Sequence, residues 1–74
     1  MNWKTTLFAL LVSFFGDKKT FTLQEVYQTC SGGMSYYYPK NNTVEASVRR
    51  TLEDLRDMGL ITFVDNEGTY AWEV

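Results

Sequence analysis

Histidine is absent from this chain, cysteine and proline occur once each, and no apolar run approaches the length of a bilayer span. Without histidine the commonest general base is missing, and so is the commonest imidazole ligand for a metal. The single cysteine, Cys30, excludes an intrachain disulfide and a Cys/His zinc site, and it reads as a small buried hydrophobe. No serine stands in a nucleophile-elbow pattern. Asp17-Lys18-Lys19 holds a carboxylate-x-lysine fragment, but no companion acid precedes it to share a metal ion, so it reads as a solvated turn. The sequence therefore predicts no enzyme, no catalytic residue, no metal and no cofactor.

The longest apolar stretch, Leu7 to Val12, follows Met1-Asn2-Trp3-Lys4 and has the outline of a short secretion signal. It is far too short to cross a membrane, and Ser13-Phe14-Phe15-Gly16 offers no small-residue cleavage site. A cytoplasmic protein without a membrane partner is expected, in keeping with the lone thiol.

What is present is apolar and acidic. Hydrophobic residues make up 45% of the 74, enough for one domain to fill a core without a staple. Net charge is −2, and it is unevenly spread. Residues 1–40 carry four lysines against two acids, whereas 41–74 carry three arginines against seven acids. Beyond Gly59 there is no cation. That balance is the wrong sign for neutralising a phosphate backbone by bulk charge.

Trp3, Leu7, Leu10, Leu11 and Phe14 lie on one helical face and predict a helix over 2–15, with Gly16 as its C′ residue. Phe8, Val12 and Phe15 form a second apolar stripe, which reads either as part of a core helix wedged among the others or as a surface that packs on a partner or on a second copy as a homodimer. Thr20-Phe21 suggests a short β-bridge. Thr22 and Glu25 have capping-box spacing, predicting a second helix over 22–30 that buries Leu23, Val26 and Tyr27. Ser31-Gly32-Gly33 then breaks it, leaving Ser35 to Asn41 as a loop. A third helix over 43–58, capped by Asn42 with Glu45 at the matching position, buries Val44, Val48, Leu52 and Leu55, and Gly59 stops it. Leu60 to Val64 and Thr69 to Glu73 read as strands around a short loop from Asp65 to Gly68, a hairpin over 60–73.

Three helices and a C-terminal hairpin define a mainly α winged helix-turn-helix occupying the whole chain as one domain. High burial is expected at Leu7, Leu10, Phe14, Val26, Val44, Val48, Leu52, Leu55 and Ile61.

Residues 21–70 resemble the C-terminal winged-helix domain of methyl-adenine-dependent restriction endonucleases and dam-replacing proteins. The likeness is carried by Tyr38-Pro39, Asn41-Asn42, Val44, Val48-Arg49, Leu52, Leu55-Arg56-Asp57, Gly59, Phe63 and Gly68-Thr69-Tyr70. It implies a domain that binds duplex DNA and recognises N6-methyladenine in a short palindrome, with the third helix in the major groove. The DNA-binding residues it implies are Asn41, Asn42, Thr43, Ser47 and Arg50, with Arg49 facing the groove or bracing the helix, and the cation Lys40 just before them joins the expected DNA-binding set. Asn suits adenine edges and Arg suits guanine. Tyr36, Tyr37 and Tyr38 read either as a stacking platform for a base or as rings of which one or two pack over the core.

The chain departs from that pattern at Glu45, Ser47, Thr51 and Glu53, where the family tends to place basic or amide side chains. Its hairpin is acidic where the family's is usually basic. Restriction activity is not expected of these residues. On helix three, Glu45 with Arg49, Arg49 with Glu53, and Arg50 with Asp54 stand at i,i+4, a spacing that neutralises the cations internally. Two functions follow. One is a stand-alone DNA-binding winged helix, a small regulator. The other is an acidic module that binds a protein through Asp65, Glu67 and Trp72, such as a phage-encoded inhibitor occluding the nucleic-acid channel of a host defence complex.

Overall fold

In the computed structural model, which describes residues 2–65 and 67–73, Asn2 opens the first helix by accepting a 2.8 Å hydrogen bond from the Thr5 amide. This helix, α1 (Trp3–Phe15), buries Leu7, Leu11 and Phe15, spaced four apart. The predicted core face is rotated from this one. Leu10 is only half-buried, and Phe14 is 47% exposed. The reason lies in the sequence: apolar residues occupy nearly every position from Leu7 to Phe15, so periodicity alone does not choose the stripe. Packing chooses it, because Phe15 stacks on Phe21 of the sheet with centroids 5.2 Å apart. Phe15 is thus core rather than surface, while Val12 of the same expected stripe is 48% exposed. Gly16 closes the helix in a right-handed conformation, not the left-handed one expected of a C′ glycine.

Strand β1 (Thr20–Thr22) leads into α2 (Leu23–Tyr37) through the predicted capping box. The Glu25 amide donates to Thr22 Oγ1 at 3.1 Å, and the Thr22 amide donates to Glu25 Oε1 at 2.9 Å. The helix does not stop near Cys30. It continues through Ser31-Gly32-Gly33 to Tyr37, because Val26, Cys30 and Met34 form one fully buried stripe. Two mid-helix glycines cost about 1 kcal/mol each relative to alanine, which burial of the Met34 side chain offsets. Gly33 also lets Leu10 approach, since a Cβ there would stand 3.3 Å from Leu10 Cδ1.

Helix α3 (Val44–Asp57) buries Val48, Thr51, Leu52 and Leu55 against the other elements. Val44, expected in the core, is half-buried. Its N-cap is Thr43 rather than Asn42, and Thr43 makes no side-chain cap bond. Its hydroxyl instead donates to Asn41 Oδ1 at 3.1 Å, an oxygen that also accepts the Thr43 amide at 2.9 Å. Gly59, at φ +81°, ends the helix as expected, and Leu60 N–H bonds back to the Leu55 carbonyl.

Strands β2 (Ile61–Phe63) and β3 (Thr69–Trp72) complete an antiparallel sheet in the order β1-β3-β2. The register aligns Phe21 with Tyr70 and Tyr70 with Phe63, so three rings form one row on the core face. In the connecting loop Asp65 Oδ1 accepts from the Glu67 and Thr69 amides. Gly68, at φ +100°, passes its carbonyl to the Leu23 amide at 2.7 Å, tying the hairpin to α2. The architecture is the expected winged helix, with β1 added to the hairpin as a third strand. No helix among the described residues is long and apolar enough to cross a membrane.

Candidate nucleic-acid interface

The side of α3 turned away from the core presents Ala46, Arg49, Arg50 and Glu53, spaced 3, 1 and 3, along one shallow surface. Burial of Val48, Leu52 and Leu55 on the opposite side fixes this orientation. The internal pairs that spacing suggested do not form. Among the described residues, no carboxylate lies within ion-pair distance of Arg49 or Arg50, and Asp54 is held instead by Lys4 of α1 at 3.7 Å. Trp3 Nε1 donates to Thr51 Oγ1 at 2.9 Å, a second tie between α1 and α3.

The implied DNA-contacting residues divide into two groups. Asn42, Thr43, Arg49 and Arg50 are exposed at the start and along the outer face of α3, and Lys40 is exposed on the loop before it. Asn41 and Ser47 are half-buried and engaged with each other, Asn41 Nδ2 donating to Ser47 Oγ at 3.2 Å. Ser47 lies on the α1 side of the helix, around the wheel from Arg49.

The three tyrosines also separate. Tyr36 and Tyr37 are the last residues of α2, 80% and 61% exposed, and meet edge to face at 5.4 Å. Tyr38 is built into the fold. Its ring packs on Trp3 at 5.3 Å, and its hydroxyl shares a 3.0 Å hydrogen bond with Thr6 Oγ1. The expected loop over 35–41 is therefore helical up to Tyr37.

A cleft between α3 and the wing is lined by Arg49, Glu53 and Arg56 on the helix side and by Phe63, Glu67 and Tyr70 on the wing side. Arg56 lies over the Phe63 ring, 4.5 Å from its centroid, and pairs with Asp57 at 3.3 Å. Burial raises the Tyr70 phenol above its ordinary value, and Arg49 partly opposes that rise. The Tyr27 phenol is likewise raised by burial and pulled back by Arg49. Arg56 was not among the expected site residues. Its spacing of seven from Arg49, two helical turns on the same face, is the signal that could have found it.

Of the acidic candidates, Glu67 is exposed and lines this cleft, and Asp65 is exposed but turned back on its own loop. Hydrogen bonding, chiefly from the Glu67 amide, lowers the Asp65 carboxyl below its ordinary value. Trp72 stands apart from both. Its ring packs on Phe8 and Phe21, and its Nε1 donates to the Phe15 carbonyl at 3.0 Å.

A helix, a turn and an outward-facing second helix, followed by a hairpin wing, make a helix-turn-helix of the winged kind. Comparison with the curated proteins finds no match to this chain. The family model of the Dam-replacing HTH domain matches residues 6–71, and the chain belongs to that family.

Proposed function

We propose that this chain is a non-enzymatic DNA-binding winged helix that lays the outer face of α3 in the major groove. The observation that carries the reading is the stripe of Ala46, Arg49, Arg50 and Glu53, whose two guanidiniums have no ion-pair partner among the described residues. An unpaired guanidinium on an exposed helix face can meet a guanine edge or a phosphate without first breaking a salt bridge. Asn42 and Thr43 at the start of α3, with Lys40 before them, extend the contact to adenine edges and the backbone. Asn41 and Ser47 support it by holding the turn. Exposed Tyr36 and Tyr37 can flank the duplex, whereas Tyr38 is committed to Trp3 and Thr6.

The test is a titration of labelled duplex at low salt with the wild-type chain and with Arg49→Ala and Arg50→Ala. Arg50→Ala should weaken binding by about 1–3 kcal/mol if the side chain reads a base. Arg49→Ala should weaken binding too, and unchanged affinity in both variants would remove α3 from the interface.

The acidic wing favours a second reading, a protein-binding module of the kind a phage could direct against a host nucleic-acid-targeting complex. Glu53 and Glu67 line the α3–wing cleft together with Arg49 and Arg56, and the segment after Gly59 has no cation. Failure to bind duplex, together with loss of a protein partner on reversing Asp65 and Glu67, would establish this reading in place of the first.

A further inference from the structure

We infer that the groove between α1 and the sheet docks a second copy of this chain, forming a two-fold dimer that leaves α3 free. Its floor is formed by Phe8, Val12, Leu60, Ala71 and Trp72. Val12 is 48% exposed although Leu11 beside it is fully buried, and Phe8, Leu60, Ala71 and Trp72 around it are half-buried, so the floor is apolar and partly open. The one polar side-chain atom of the floor, Trp72 Nε1, is already satisfied by the Phe15 carbonyl. The floor therefore offers an occupant apolar contact and asks for no hydrogen bond.

The rim says which occupant fits. Asp17, Lys18 and Lys19 border the groove where the chain enters β1. Because Thr20 pairs with Ala71 in an antiparallel register, this run lies toward the same end of the sheet as Glu73, which follows β3. Among the described residues, none of these four charged side chains is in an ion pair. A patch bearing both signs at one end of an apolar floor can set Lys18 and Lys19 of one copy against Glu73 of the other, as a two-fold interface requires, since each copy presents the same surface to the other. A uniformly acidic or basic partner would meet like charge on part of the rim.

No residue of α3 lines this groove, so a dimer formed here keeps both exposed stripes available. The inference is accordingly independent of whether α3 binds DNA. A standard interface takes about 800 Å² from each partner, a large share of the 4885 Å² of surface this small domain has. The groove and its rim supply a modest area, so the association should be weak, with a dissociation constant in about the micromolar range.

Sedimentation equilibrium over a micromolar concentration series tests this. The wild type should pass from monomer to dimer. Val12→Glu, a change at an exposed position, should weaken association by about tenfold or more, because it would bury a carboxylate. Phe14→Ser, which removes an exposed ring on another side of α1, should leave association unchanged, with circular dichroism confirming the fold of both variants. The charges provide a second arm. Lys18→Glu with Lys19→Glu in one protein, and Glu73→Lys in another, should each weaken self-association, while a mixture of the two should form a heterodimer. A wild type that stays monomeric at high micromolar concentration would overturn the inference. So would a dimer indifferent to Val12→Glu, or a failure of the mixed charge variants to associate.

Discussion

Trp3 and Thr51, separated by 48 positions in sequence, are joined by a 2.9 Å hydrogen bond from the indole Nε1 to the threonine hydroxyl. The same hydroxyl donates to the Ser47 carbonyl one turn earlier, so it sits between α1 and the backbone of α3. With the Lys4–Asp54 pair, this bond ties α1 to the flank of α3, adding to the buried Val48, Leu52 and Leu55 stripe that sets where Arg49 and Arg50 point.

Thr51→Val keeps the side-chain shape and removes the acceptor. It should cost about 1–3 kcal/mol, toward the lower end because the half-buried indole can recover a water. Urea unfolding followed by tryptophan fluorescence measures it, and an unchanged midpoint would mean the bond contributes nothing.

Leu52 is fully buried at the centre of the α3 contact with the rest of the core. Leu52→Ala should cost about 2–5 kcal/mol. Small domains have only about 5–15 kcal/mol to lose, so the variant should melt far earlier or fail to fold. Thermal unfolding by circular dichroism decides between this and a peripheral Leu52.

The elements most legible in the sequence were those with both a periodic stripe and a chemical stop. The Val48, Leu52 and Leu55 stripe followed by Gly59 gave α3 to within a residue at each end, and Thr22 with Glu25 gave the start of α2. The end of α2 was not legible. Gly32 and Gly33 argue for a break, and only the burial of Met34 under the other elements overrides them. The core face of α1 was hidden for a different reason, since an apolar residue stands at almost every position. At the site, the exposure of Arg49 and Arg50 followed from the stripe opposite them. The withdrawal of Tyr38, Asn41 and Ser47 into the fold did not, because it depends on contacts with Trp3, Thr6 and Thr43 that spacing does not encode.

The wing loop should weaken in acid. Amide donors from Glu67 and Thr69 favour the charged form of Asp65 and hold its folded value below the unfolded one. Its contribution to stability is therefore complete above the ordinary carboxylate range and is lost as pH falls through the lower, folded value. Asp65→Asn should remove this dependence. Denaturant midpoints of the two proteins measured from neutral into acid should converge at low pH, and parallel curves would show that the loop bonds do not depend on the charge.

Glu67 lines the α3–wing cleft with Arg49 and Arg56, and its charge would repel a phosphate bound there. Glu67→Lys should tighten duplex binding several-fold at low salt without altering sequence preference, because it exchanges a repulsion for a phosphate contact. Competition with duplexes of different sequence separates the two effects. A changed preference would mean that the wing reads bases.

Cys30 is fully buried, and burial raises its thiol above the ordinary value. Since the thiolate is the reactive form, Cys30 should be inert to a disulfide reagent in the folded protein and react only on unfolding. Rapid native-state labelling would show that α2 opens locally.

The most direct test of DNA binding through α3 is the salt dependence of the wild-type chain's affinity for duplex. Lys40, Arg49 and Arg50 are the cations at the start and outer face of α3, and the segment after Gly59 contributes none. With about three phosphates neutralised, the logarithm of affinity should fall against the logarithm of salt concentration with a slope of about −2 to −4. Measurable binding at low salt with that shallow slope is the predicted result. No binding to duplex at low salt would contradict the account.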